Sequence, residues 1–163
     1  MLLSPPRHDI GAQFAAVREL TERLAGRLSA EDQTAQSMPD ASPTKWHRAH
    51  TSWFFEEFVL APGGSYDVFD PTFRYLFNSY YEAVGPRHPR PQRGLVTRPG
   101  AEEIRRYRAY VDQQLADRLT AGTLDDGALE LTELGCHHEQ QHQELLLMDA
   151  KHLLSCHAFA PAY

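Results

Sequence analysis

Cysteine is scarce in this chain: only Cys136 and Cys156 occur among 163 residues. Both fall within one stretch of helical pattern, where twenty residues of helix separate them by about 30 Å. That distance is far beyond disulfide reach, so a disulfide scaffold is excluded and reduced thiols in a cytosolic protein are expected. Long apolar runs are missing too, and none approaches the roughly 20 residues of a membrane span. The opening residues Met1 to Asp9 have neither the basic start nor the long apolar core of a signal peptide. Nor is positive charge in excess: 16 Lys and Arg stand against 22 Asp and Glu, a formal charge of -6. This balance argues against nucleic acid and membrane surfaces as partners. There is no internal repeat, no convincing strand series and no linker long enough to separate a second domain. The expectation is a cytoplasmic protein whose residues 1–163 form a single domain, large enough to bury roughly 70% of its unfolded surface.

What the chain does have is helical periodicity. Ser4-Pro5-Pro6 reads as a cap followed by helix-initiating prolines, and Ile10, Phe14, Val17, Leu20 (or Leu24) and Leu28 predict a first helix over about 8–28. Ser29 and Asp32 resemble a weakened capping box. Ser42-Pro43 predicts the start of a helix from Thr44 to about Leu60, with Trp46, His50, Trp53 and either Phe54 or Glu57 on one stripe. Phe73, Leu76, Phe77, Tyr80 and Tyr81 suggest a short helix stopped by Gly85-Pro86. Gly100 and Glu103 open a further helix, whose core stripe of Ile104, Tyr107 (or Arg108), Val111, Leu115 and Leu119 runs to about Thr120. Asp125 or Asp126 caps the last helix, which reaches about Cys156. The fold class is all-α: a bundle of four main helices with one short extra helix.

The sharpest chemical signal lies in that last helix. His138 and His142 are four apart, so their imidazoles project from one face, one turn apart, as two nitrogen ligands of a divalent metal must. Leu131, Leu134, Leu145, Asp149 and His152 share their face, which places both histidines on the stripe expected to meet the core. His50, pointing where Trp46 and Trp53 point, is the best candidate for a third ligand, and His47 lies about 60° away on the helical wheel. Core histidines satisfied by backbone carbonyls are the bland alternative. His138-Glu139-x-x-His142 also matches the zinc-protease pattern with Glu139 as base, but no His-x-x-Gly-x-x-His extension follows. Three imidazoles leave coordination positions open, for Zn, Ni or Fe(II). Glu139, Glu144, Asp149 and Glu57 are the carboxylates placed to orient the rings. Separately, Arg87-His88-Pro89-Arg90-Pro91-Gln92-Arg93-Gly94 is proline-stiffened and basic within an acidic chain, able to present guanidiniums to a carboxylate or phosphate or to serve as a solvated connector.

Four segments in order carry a family resemblance: Trp46 to Glu56, Leu76 to Gly85, Arg87 to Arg90, and His138 to Glu144. Together they resemble the N-terminal, DinB-like domain of the ergothioneine-biosynthesis sulfoxide synthases, the EgtB family. The likeness runs from about Leu20 to the C-terminus. It implies an up-and-down four-helix bundle in which His50, His138 and His142 hold a non-haem Fe(II). It implies a reaction that couples γ-glutamylcysteine or cysteine to C2 of the imidazole of Nα-trimethylhistidine (hercynine), using O2 and forming a sulfoxide. Arg87 and Arg90 would then pair with carboxylates of the thiol substrate.

Enzymes of that family continue into a larger C-terminal domain, similar to formylglycine-generating enzymes, that supplies much of the trimethylhistidine pocket. The chain stops at Ala160-Pro161-Ala162-Tyr163, about where that domain would begin. The expectation is therefore a metal-binding domain that is inactive alone and completed by a C-terminal domain or by self-association as a homodimer; no catalytic residue is assigned within it. A stand-alone DinB-like thiol transferase using Zn or Ni, and a non-catalytic helical module, are the competing readings.

Overall fold

The computed structural model describes residues 9–163, so the Ser4-Pro5-Pro6 cap lies outside the described residues. Among them the elements are helical and no strand occurs. Helix α1 spans Ile10–Ala25, opened by the Asp9 carboxylate, which accepts a hydrogen bond from the Ala12 N–H. It is shorter than its periodicity predicts, because Gly26 ends it and Leu28 packs instead beside Ala150 and Leu154. The Ser29 and Asp32 side chains do accept from each other's backbone N–H groups, at 3.1 Å each. Helix α2 spans Thr44–Phe55 and widens into a π-helical turn over Glu56–Leu60. Helix α3 is a single turn, Phe73–Leu76, so Tyr80 and Tyr81 fall in an irregular segment beyond it. Helix α4 spans Ala101–Ala121 and stops at the left-handed Gly122; helix α5 spans Asp126–Ser155 and is capped by Asp125. None of these helices is long and apolar enough to cross a membrane.

The long helices contact one another in turn, α1 with α5, α5 with α2, α2 with α4 and α4 with α1. Helix α2 is buried on every side, all twelve of its residues included, whereas its pattern predicts a single buried stripe. The reason is the cover supplied by the segment between α2 and α4. Trp46 Nε1 donates to the Leu76 carbonyl, His50 Nδ1 lies 2.6 Å from the Phe77 carbonyl, and Lys45 Nζ donates to the Pro99 carbonyl. Ser42 does not cap α2 with its side chain. Its hydroxyl accepts from Arg93 and its N–H donates to Asp149.

The core face of α5 is also rotated from the predicted stripe. Its buried residues include Gly135, Cys136, Glu139, Gln143, Leu146 and Ala150, while Leu134 is exposed. Gly135 sets this packing: a Cβ there would sit 2.4 Å from Phe55 Cε1, so no larger residue allows α5 to approach α2 so closely. The rotation carries His138 and His142 to the edge of the α2 contact, where they line a cavity rather than vanish into the core.

Candidate metal centre

His50 on α2 and His138 and His142 on α5 each bring one ring nitrogen within 4.8 Å of the others. His50 is stacked against Trp46 and Trp53, with ring centroids 4.6 Å and 5.4 Å away, which fixes its plane. Its Nδ1 faces the Phe77 carbonyl, a group that only accepts. The hydrogen therefore sits on Nδ1, and Nε2 turns a lone pair toward His138 Nε2, 3.1 Å away. His138 packs on the Phe54 ring at 4.7 Å.

Burial keeps these rings neutral. It lowers the pKa of His138 to about 4 against an opposing pull from Glu139. It also holds His50 and His142 well below the ordinary imidazole range, helped by the other histidines and Arg93. Three neutral imidazoles, with one lone pair already aimed inward, are a donor set that fits a divalent cation such as Zn, Ni or Fe(II).

The carboxylates named from spacing are disposed differently. Glu139 is wholly buried against α1 and α4, accepting from Arg18, Arg108 and Thr21. Burial alone would raise its pKa, but the two guanidiniums outweigh that and hold it down to about 2. Both its oxygens are taken by those donors and it does not line the histidine cavity, which removes the protease arrangement. Glu57 pairs with Arg74, and Glu144 is exposed. Only Asp149 approaches the site, and it touches His47, not a member of the trio: Asp149 Oδ2 lies 2.9 Å from His47 Nε2, and His47 Nδ1 lies 2.9 Å from His142 Nδ1.

The histidines open onto a cavity of about 470 Å³, also lined by Trp46, Ser79, Tyr80, Tyr81, Arg90 and Arg93. Arg90 donates to the Tyr80 hydroxyl and the Asp40 carbonyl. Arg87 lies outside this cavity, over the Tyr80 ring, and joins Arg90 and Arg93 around an adjacent one of about 400 Å³. Arg93, which spacing alone does not single out, is the buried member of the three. It sits 3.3 Å over the Trp46 ring and donates to Ser42, and its pKa falls to about 9 through burial and repulsion from Arg90. The available signal is the three-residue step from Arg90, because Arg90–Leu95 form a 3₁₀ turn in which such side chains eclipse.

Residues 13–153 of the chain, including all three histidines, match the DinB superfamily. The chain belongs to the DinB superfamily. DinB-like domains bind divalent metals, in agreement with the donor set of this one. No curated protein matches the chain significantly.

Proposed function

We propose that this DinB-superfamily chain is the iron-binding domain of an ergothioneine-biosynthesis sulfoxide synthase of the EgtB type, with His50, His138 and His142 as ligands of Fe(II). The observation that carries this reading is the meeting of three neutral imidazoles with two guanidiniums around one cavity. A three-imidazole set leaves open positions, the form of a catalytic site and not of a closed structural one.

In the proposed reaction the thiol of γ-glutamylcysteine or cysteine is joined to C2 of the trimethylhistidine imidazole. The S–H and C2–H bonds break, C–S and S–O bonds form, and O2 accepts four electrons, its second oxygen leaving as water. Bound iron would supply that redox chemistry. The chain's own residues bind and orient. Arg93 and Arg90 would hold substrate carboxylates by charge-assisted hydrogen bonds, with Arg87 extending the basic edge and the rings of Trp46 and Tyr81 forming part of the wall. On this reading the long helices form an up-and-down bundle in one cytoplasmic domain. The trimethylhistidine pocket would be completed by a C-terminal domain, attached or separate, or by a second copy.

The test is the metal content of anaerobically purified protein beside a His138→Ala, His142→Ala variant, measured by mass spectrometry. Near-stoichiometric iron that the variant lacks, and sulfoxide formation under O2 once the C-terminal domain is supplied, are expected. Zn or Ni in its place, with thiol transfer independent of O2, would replace the synthase by a transferase. No metal in either protein, with equal stability, would leave a non-catalytic helical module.

A further inference from the structure

His47 and Asp149 are both buried, at 3% and 5% exposure, and neither belongs to the trio of candidate ligands. Asp149 stands two turns after His142 on α5, and one of its oxygens, Oδ2, is anchored by the Ser42 N–H at 2.8 Å. The same oxygen lies 2.9 Å from His47 Nε2. A carboxylate offers only lone pairs, so the hydrogen of neutral His47 resides on Nε2 and its Nδ1 is bare. That bare nitrogen lies 2.9 Å from His142 Nδ1. Two bare nitrogens at this separation would repel, so the hydrogen of His142 must reside on Nδ1.

We infer that Asp149 and His47 form a two-link hydrogen-bonded chain that sets the tautomer and ring orientation of His142, leaving its Nε2 lone pair for a cation shared with His50 and His138. The role rests on the metal-site reading above and deepens it. His50 obtains the same service in one step from the Phe77 carbonyl. In His142 the carboxylate acts through an intervening imidazole, which makes His47 a positioning residue and explains why a second histidine stands three residues before His50. Ser42 ties this chain to the guanidinium side of the cavity, since its N–H holds Asp149 while its hydroxyl accepts from Arg93.

The tautomer is read without metal, by nitrogen NMR of ¹⁵N-histidine-labelled, metal-free full-length protein. His142 is expected to carry its hydrogen on Nδ1 in the wild type and in His47→Gln, whose side-chain carbonyl still accepts. In His47→Leu the Nε2–H form should appear. A hydrogen on Nε2 in the wild type, or no change in His47→Leu, overturns the inference. Thermal unfolding checks that each variant is folded, and Asp149→Asn, which weakens the acceptor while keeping its shape, gives a second route to the same shift. Zn(II) affinity, measured by competition with a chromophoric chelator, should fall about 10–100-fold in His47→Leu with one-to-one stoichiometry kept, and recover in His47→Gln. Unchanged affinity overturns it, and so does lost stoichiometry like that of His138→Ala, which would make His47 itself a ligand. A wild type that binds neither Zn(II) nor Fe(II) sinks the metal reading, while the NMR result still decides the chain.

Discussion

His138 and Glu139 are neighbours in sequence and stand in two opposite kinds of buried polar cluster. Around Glu139 every guanidinium faces a carboxylate: Arg18 meets Asp112 and Glu139, Arg48 meets Glu22, and Arg108 meets Glu22 and Glu139. Around His138 the imidazoles turn nitrogens toward one another, and Arg93 has only the hydroxyls of Ser42 and Ser79 and the face of Trp46. Among the described residues Arg93 makes no salt bridge, and its Nε and His138 Nδ1 are buried with no hydrogen-bond partner. In the first cluster Arg108 Nε is also without a well-aligned hydrogen bond, but it stands 2.7 Å from Glu22 Oε1, so every charge there is paired and the cluster ties α1, α4 and α5 together. The second has donors and charge in excess of what the chain satisfies, which is the condition of a site built for a ligand.

The comparison breaks most visibly at Glu139. Glu139→Gln removes the shared counter-charge of Arg18 and Arg108, and breaking such a buried pair costs about 3–5 kcal/mol. Denaturant unfolding of the metal-free protein should show this loss, and a change within about 1 kcal/mol would mean that the network is not what holds the helices. The same carboxylate sharpens the contrast through pH. Its pKa is about 2 when folded against an ordinary 4.5, so its contribution is fully present above about 4.5 and is lost as pH falls toward 2. The span corresponds to about 3 kcal/mol. Stability measured from pH 6 down to 2 should decline in both proteins, because the unfolded chain protonates histidines that the fold keeps neutral. The wild type should lose about that much more than Glu139→Gln, the extra loss falling below about pH 4.5.

The histidine cluster should respond to metal where the carboxylate cluster does not. A divalent cation at about 100 times its dissociation constant should add about 2.7 kcal/mol to the stability of the wild type. The gain should vanish on chelation and be absent from His138→Ala, His142→Ala, whereas Glu139→Gln should keep it on its lower baseline. Equal gains in wild type and double variant would place the metal elsewhere.

This contrast is only partly written in the sequence. The four-residue step from His138 to His142 and the position of His50 between Trp46 and Trp53 are local, and they are enough to expect the trio. Asp125 before α5 and the Ser29 and Asp32 pair are local as well, and each makes the backbone bond that its type favours. The phase of α5 is not local. Glu139 reads as a base or ring-orienting carboxylate beside the histidines, and only Arg18 and Arg108, 121 and 31 residues away, show that it serves a separate ion-pair network. Likewise Leu134 reads as core, and the close approach at Gly135 turns it outward. The role of His47 depends on Asp149, 102 residues away on another helix, so the step between His47 and His50 on α2 says only that it is not on the ligand stripe.

The smallest effect on stability is expected at Arg93, and it separates the clusters most cleanly. Arg18 and Arg93 are both guanidiniums under 5% exposed, but Arg18 has two carboxylates and Arg93 has none in salt-bridge range among the described residues. Arg93→Met loses the stacking on Trp46 and the bond to Ser42 while relieving a buried charge that has no carboxylate in salt-bridge range among the described residues, terms of opposite sign and similar size. Its metal-free stability should stay within about 1 kcal/mol of wild type. Arg18→Met strands Glu139 with one guanidinium instead of two and should cost about 3 kcal/mol or more. If the charge of Arg93 awaits a substrate carboxylate, its removal should instead weaken γ-glutamylcysteine binding by about tenfold or more, the value of one charge-assisted hydrogen bond. Isothermal titration beside thermal unfolding reads both quantities. A large stability loss with unchanged affinity would make Arg93 a second structural guanidinium and erase the difference between the two clusters.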